Sequence, residues 1–335
     1  MTTLAAELVR TDAGLQALRP DWEALWRRAS DALPFQSPFW LLPWWRRFGT
    51  GMPRMAVLRD GDGHLLGLLP LYLLPEGATR KLLPIGAGIT DCHDALLSPD
   101  APPDAAATLL RTALAGSDDA AQCDLIELPP GAALREAIPP PGWRASWTDG
   151  PPCPVLALPG AGTGLRGAVP ARTLRKLRMN RHRAGRIGGW TVETAESDTL
   201  PALLDELVRL HTRRWEGRGE AGVLADPDVL AFHRDAAPGL LEAGLLRLRA
   251  LRLQGRVAAA IHALLAGPDR ILFYLSGFDA AWARESPGTI LLGEMLEEAV
   301  REGRREAHFL RGGEAYKYAW GAADRMNAAC RLTRA

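Results

Sequence analysis

Cysteine is scarce in this sequence. Its four residues, Cys92, Cys123, Cys153 and Cys330, show no CxxC or Cys/His spacing. That excludes a zinc ribbon and gives no disulfide framework, so a reduced cytoplasm is the expected setting. Long apolar runs are missing too. The longest, around Leu65 to Leu74, is interrupted by Gly67 and Pro70 and reads as buried strand, well short of the roughly 18 residues a membrane span needs. The start, MTTLAAELVRTDAGLQ, has an early acid and no apolar h-region, unlike a signal peptide. There is no GxxxxGK[ST], no GxGxxG after a strand, no GxSxG and no HExxH. These absences exclude P-loop nucleotide hydrolysis, Rossmann redox chemistry, an α/β-hydrolase nucleophile and zinc proteolysis. A formal net charge of +1 argues against a chain that binds polyanions over its whole surface, though not against a local basic patch. No repeat of 20 to 50 residues is present, which excludes a solenoid.

What is present is an ordinary globular composition, 47% hydrophobic and 24% charged, over 335 residues. That length predicts two domains. The Pro/Gly-rich stretch 129–154 is the boundary candidate, giving domains of 1–150 and 151–335. Near the start, Trp22, Leu25, Trp26, Ala29 and Leu33 follow helical spacing over about Pro20 to Ala32. In PFQSPFWLLPWWRRFG, Ser37 is placed to cap a helix that opens with Pro38. Its aromatics read as core, with Phe35, Gln36 and Trp40 as the alternative lining of a cleft. Apolar runs at Met55–Leu58 and Leu65–Leu74 flank Asp60-Gly61-Asp62-Gly63, a hairpin turn. The loop GAGITDCHDALLS places Asp91, His93 and Asp94 after a strand. It reads as a solvated or substrate-facing loop rather than a metal site, because that spacing alone specifies no ion.

The second half opens differently. Between Arg166 and Arg186 lie eight Lys/Arg and no acid. ARTLRKLRMNRHRAGR reads as a basic helix that repels itself unless an anion faces it. Cofactor phosphates, a tRNA backbone or an acidic carrier protein would each fit. A helix from Leu200 to Trp215 places His211 on or beside its apolar stripe, as a core histidine or as a base facing a cleft. Asp226-Pro227 opens a further helix. Strands follow at Leu245–Leu253, Val257–Leu265 and Ile271–Phe278; the second carries one polar residue, His262, and the third sets Tyr274 and Ser276 on one face.

Two motifs close the chain. SPGTILL, Ser286 to Leu292, begins a helix with Pro and Gly, leaving N–H groups and positive partial charge for a phosphate or pantetheine amide, or simply initiating a helix. RGGEAYKYAWG, Arg311 to Gly321, sets Glu314 three residues from Lys317 and four from Tyr318 after a glycine pair. That spacing suits either an acid–base cluster or a local ion pair that fixes a turn.

GFDAAWARESPGTILLGEMLEEAVREGRREAHFLRGGEAYKYAWG resembles the C-terminal signature of GNAT-type acyltransferases, in the CelD-like branch related to the Fem peptidyltransferases. RKLRMNRHRAGR, LHTRRW, VAAAIHALL and PFQSPFWLLPWWRRFG match in order. The resemblance implies an α/β (α+β) chain of two tandem GNAT-like subdomains, each with a mixed, mostly antiparallel sheet flanked by helices. It implies a biosynthetic transferase that moves an acyl group from a thioester, acyl-CoA or acyl carrier protein as co-substrate, to an amine on a small molecule, peptide or sugar. No tightly bound cofactor and no metal are implied. Ser276, Arg284, Ser286, Gly288 and Thr289 would hold the donor. Glu314 or His262 would act as base, Tyr274 or Tyr318 as acid, and Lys317 and Arg311 would position a substrate. His211, Arg214, Trp215 and Asp279, with Gln36, Trp40 and Asp91 from the first half, would contact the acceptor. Two departures stand out. The glycine of the pyrophosphate loop, Gly288, comes one position late after Arg284, and His308 stands where relatives often have aspartate. A Fem-like aminoacyl-tRNA-dependent transferase is the alternative, and a non-catalytic binding protein on a degenerate GNAT fold is a third.

Overall fold

The computed structural model describes residues 4–77, 79–217 and 219–335. The chain forms two compact units, Met1–Pro152 with Arg325–Ala335, and Cys153–Asp324. The end of the chain therefore lies with the first unit, not the second as the sequence suggested. The cause is a ladder: Ala323–Arg334 pairs antiparallel with Gln122–Leu128, burying Cys330 and Leu332 with Cys123 and Leu125. The boundary at Pro152 falls within 129–154, inside the strand Trp143–Ala157, which runs through Pro151, Pro152 and Pro154.

In the first unit one antiparallel sheet orders Ala5–Val9, Met55–Arg59, Leu65–Leu69 and Leu96–Leu97. The hairpin at Asp60–Gly63 forms as its sequence predicts, with Asp60 Oδ1 accepting from Asp62 N and His64 N. A second run of strands orders Ala323–Arg334, Gln122–Leu128, Thr79–Pro84, Leu71–Glu76 and Met52–Pro53. Thr79–Pro84 and Gln122–Leu128 are parallel, so the sheets are mixed. The helix Ala105–Ala115 buries Leu109, Leu110 and Leu114 in this core. Ser37 stands before the helix Pro38–Phe48 but does not cap it with its side chain. Its hydroxyl donates instead to Pro34 O at 2.6 Å, which secures the preceding turn.

The second unit runs α1 (Ala171–Arg186), β1 (Trp190–Thr194), α2 (Leu200–Glu216), α3 (Pro227–Glu242), β2 (Leu246–Leu253), β3 (Arg256–Ala266), β4 (Arg270–Phe278), α4 (Pro287–Arg301), β5 (Glu306–His308) and α5 (Ala315–Ala319). Asp226 caps α3, accepting from Asp228 N and Val229 N. The sheet order is β1-β2-β3-β4-β5, and β5 then pairs with Val155, Leu156 and Ala157. Every pair is antiparallel except β4–β5. α4 buries Ile290, Leu291, Met295, Leu296 and Ala299 against it.

α2 crosses β4 at Gly277 with no room to spare. A Cβ there would lie 2.5 Å from His211 N and 2.7 Å from Leu210 C. These are backbone atoms that cannot rotate away, so Gly277→Ala has to lift α2 off the sheet. The expected cost is at the upper end of the ~1–3 kcal/mol typical of overpacking, read as a shift of the urea midpoint. An unchanged midpoint would show that the crossing is looser than described.

Candidate active site

The site is built where β4 and β5 part. They pair only over Arg270–Leu272 with Glu306–His308. Among the described residues no strand pairs with β4 on that side past Leu272, and Phe309 N bonds instead to Pro154 O. The backbone edge from Leu275 onward is thus open to an added strand. The ladder to β3 slips at the same place: His262 faces Leu275 and Ala263 faces Phe273, so Tyr274 is the extra residue of a bulge. A bulge re-aims the side chain it carries. Tyr274, Leu275 and Ser276 are half-exposed in a strand that is otherwise mostly buried.

α2 supplies the neighbouring side chains. Arg214 Nη1 donates to Ser276 Oγ at 3.2 Å, and the guanidinium lies 5.3 Å from the Phe278 ring centroid. Trp215 Nε1 donates to His211 Nε2 at 3.0 Å, which fixes the His211 tautomer with its proton on Nδ1. Burial, and then Arg214, push the His211 imidazole down to about 4, so it is neutral at pH 7. His211, Arg214 and Trp215, proposed as a group from the sequence, do meet beside β4.

Behind Tyr274 lies a buried imidazole pair. His233 of α3 and His262 of β3 have ring centroids 5.9 Å apart, and each lies within 5.7 Å of the Tyr274 ring. Burial pushes His262 down to about 4 and His233 further. His262 is 1% exposed and reaches the open edge only through Tyr274. His233 escaped the sequence reading. The signal was available, because Leu230, His233, Ala237 and Leu240 share one helical stripe.

The loop after β4 shapes the other end. Asp279 accepts from Ala281 N and donates its own N–H to Ala258 O, with Arg209 Nη1 3.9 Å from its carboxylate. Asp279 is therefore a loop fastener here. Ser286 adopts φ +54° ahead of Pro287, and its hydroxyl donates to Ala283 O. Thr289 N and Ile290 N both bond back to Ser286 O. Gly288 stands at the helix tip, where a Cβ would meet Phe278 only at an ordinary 3.6 Å. Nothing within this unit therefore requires glycine there. What glycine leaves open is close approach of a ligand to the backbone. Arg284 O accepts from Arg183 Nη1 of α1 at 3.3 Å.

Facing β4 is the loop Leu310–Glu314. Leu310 holds φ +56° and Gly312 φ +107°. Lys317 is the pin: 2% exposed, its ammonium donates to Leu310 O, Arg311 O and Gly312 O and pairs with Glu314 at 2.9 Å. Lys317 is thus engaged by the loop itself, and Glu314 is held with about half its side chain exposed. Tyr318 turns away to donate to Asp324 at 2.7 Å. Tyr316 is the tyrosine in contact with Phe309, with 40% of its surface still exposed. It sits edge-on to Phe309, which stacks on Phe273, and its phenol feels both Glu314 and Arg214. His308 Nε2 lies 2.9 Å from Glu306, so an acid does stand here, two residues earlier.

The first-unit candidates are placed differently. Gln36 and Trp40 are buried, with Gln36 Nε2 donating to Ala95 O and Trp40 Nε1 to Thr90 Oγ1. Their polar atoms serve the core of that unit rather than a cleft wall. Asp91 O accepts from Asn327 Nδ2. Asp94 takes N–H bonds from Ala95, Ala133 and Leu134. Its carboxylate serves the backbone.

The second unit thus sets a bulge of the antiparallel β3–β4 ladder and an open β4 edge beside a glycine-tipped helix N-terminus. Residues 171–318, which lie in the second unit, match the family model described as an acetyltransferase (GNAT) domain. No curated protein sequence matches the chain. Among solved structures it is similar to FemX, with TM-score 0.68 and 12% identity over 93% of this chain and 95% of that one. It is also similar to the C-terminal domain of a putative lysylphosphatidylglycerol synthetase from Agrobacterium fabrum, at 0.57 and 14% over 95% and 92%. L-PGS from Bacillus licheniformis gives 0.55 and 12% over 97% and 92%. At these identities the likeness shows the fold. Among the described residues, no helix is long and apolar enough to cross a membrane.

Proposed function

We propose that the second unit is an N-acyltransferase in which an amine attacks a thioester directly. The observation that carries this reading is the β4 edge from Leu275 to Phe278, which lies beyond the β5 ladder and ends beside the Gly288 tip of α4. A pantetheine arm has amides that can pair with such an edge, as an added strand would. The phosphate end then meets the helix N-terminus. The amine nitrogen attacks the thioester carbon. The new C–N bond forms, the oxygen becomes an oxyanion held by a β4 N–H, and the C–S bond breaks. Glu314, held by Lys317, takes the amine proton directly or through water. Tyr274 on the bulge returns a proton to the thiolate. Ser276 and Arg214 orient the arm. His262 supports Tyr274 from behind.

The test is thermal stabilisation by acetyl-CoA and by S-acyl pantetheine, followed by N-acylation of an amine panel. A thioester at 100 times its Kd should add about 2.7 kcal/mol. Glu314→Gln should keep that stabilisation but slow transfer by about 10²- to 10⁴-fold, the range of general base catalysis. Full activity in Glu314→Gln would remove the assignment. The second reading, transfer from an aminoacyl-tRNA, is favoured by the unpaired cations of α1 and predicts tRNA binding that weakens steeply with salt.

A further inference from the structure

α1 is two-faced in its charge. Its inner side buries Thr173, Leu177, Asn180 and Ala184, and the one arginine there, Arg181, pairs with Glu294 and Glu297 of α4. Its outer side carries Arg172, Arg175, Lys176, Arg183 and Arg186, all exposed. They fall at steps of three, four, eleven and fourteen from Arg172 and so share one face, about 21 Å long at a rise of 1.5 Å per residue. Among the described residues, Arg172, Arg175, Lys176 and Arg186 make no ion pair or hydrogen bond. Arg183 makes one, to Arg284 O. In the middle of this basic face sits Met179, 45% exposed. Like charges three and four residues apart repel and lower helix stability. The chain pairs arginine with glutamate on the inner side of this same helix, yet leaves the outer side uncompensated.

We propose that this face docks an acidic carrier protein, which delivers the acyl group on a phosphopantetheine arm. The inference rests on the thioester reading above and names the source of the donor. Three observations carry it. Five cations on one helical face complement an acidic helix of similar length. An exposed methionine at the centre suits an apolar residue of a partner helix, since methionine is the adaptable side chain of docking surfaces. Nucleic acid offers a polar backbone there, and α1 carries no Phe, Tyr or Trp on which a base could stack, only the imidazole of His182 at the margin of this face. Third, Arg183 links the face to Arg284 in the loop that leads to Ser286 and Gly288. A carrier seated on α1 thus holds its arm next to the donor entry. Transfer then frees the carrier's thiol: the amine nitrogen gains the acyl carbon, the sulfur loses it, and the amine's proton leaves through Glu314 while the sulfur receives one.

The experiment uses the full chain and three probes. They are an acidic acyl carrier protein bearing an octanoyl thioester, unfractionated tRNA, and acetyl-CoA. The variants are the double charge reversal Arg175→Glu/Lys176→Glu, and Met179→Glu, all at exposed positions outside the catalytic loops. Binding is read by fluorescence anisotropy at two salt concentrations, and folding by unchanged thermal midpoints. We expect the carrier to bind the native chain, each variant to weaken it by about tenfold or more, and acetyl-CoA stabilisation to stay the same. Carrier affinity unmoved by both variants would overturn the proposal. So would tRNA displacing the carrier from this face with higher affinity. Stabilisation by acetyl-CoA without any carrier binding removes the docking and leaves the thioester reading standing. Binding of neither thioester removes both.

Discussion

Replacing Lys317 with methionine should lower the unfolding free energy by ~3 kcal/mol and abolish transfer together. The ammonium holds three backbone carbonyls and the Glu314 carboxylate. Removing one partner of a buried charged pair costs about 3–5 kcal/mol, because the groups left behind lose their compensation. Glu314 is about half exposed, so water can recover part of its hydration, which places the expected loss at the low end. The carbonyl of buried Leu310 has no such relief, while those of partly exposed Arg311 and Gly312 recover some. Leu310 at φ +56° is held in a conformation that a non-glycine residue adopts only under constraint. Releasing the pin should let it relax and carry Glu314 out of place. Urea denaturation gives the first effect and acyl transfer the second. A loss under about 1 kcal/mol with normal turnover would mean that the loop is held by its own turns, leaving Lys317 a minor contributor.

Acid should loosen the second unit well before its carboxylates protonate. His262 titrates at about 4 in the folded chain, against 6.5 for an exposed imidazole, and His211 shifts equally far. The unfolded chain takes up a proton first. Each group therefore contributes its stability in full above pH 6.5 and loses it as pH falls toward 4. About 2.5 units at 1.36 kcal/mol each give roughly 3 kcal/mol per imidazole, and His233 adds in the same direction. In the first unit Asp94 works the opposite way, because burial raises it to about 6 and protonation then favours the folded form. Two imidazoles outweigh that one carboxyl. A difference measurement cancels it: His262→Phe should remove roughly 3 kcal/mol of the loss between pH 6.5 and pH 4. The comparison is urea unfolding of the native chain and the variant across that interval. Parallel pH profiles for the two would show that His262 gains its proton without unfolding.

Much of this was legible in the sequence because local chemistry decided it. The Asp60–Gly63 hairpin, the Asp226 cap and the apolar stripes of α2 and α4 each follow from side chains within a few residues. Long-range pairing was not legible. Nothing local in Ala323–Arg334 says that it seeks Gln122–Leu128, and nothing in FYLSG says that the register against β3 shifts at Tyr274. The same limit applies to the tyrosines. Helical spacing from Glu314 picked Tyr318, yet contact with Phe309 and the reach of Arg214 single out Tyr316. In the sequence Lys317 reads as a partner of Glu314, in an acid–base cluster or in a local ion pair that fixes a turn. It becomes a pin only once a positive-φ loop curls around it.

The central claim is that a thioester lies along the open edge of β4 with its phosphate end at α4. Hydrogen exchange with and without acetyl-CoA tests this most directly. The account predicts slowed exchange at Leu275 to Phe278 and at Gly288, with the β1–β2 ladder on the far side of the sheet unchanged. Binding that leaves Leu275 to Phe278 exchanging as before would contradict it.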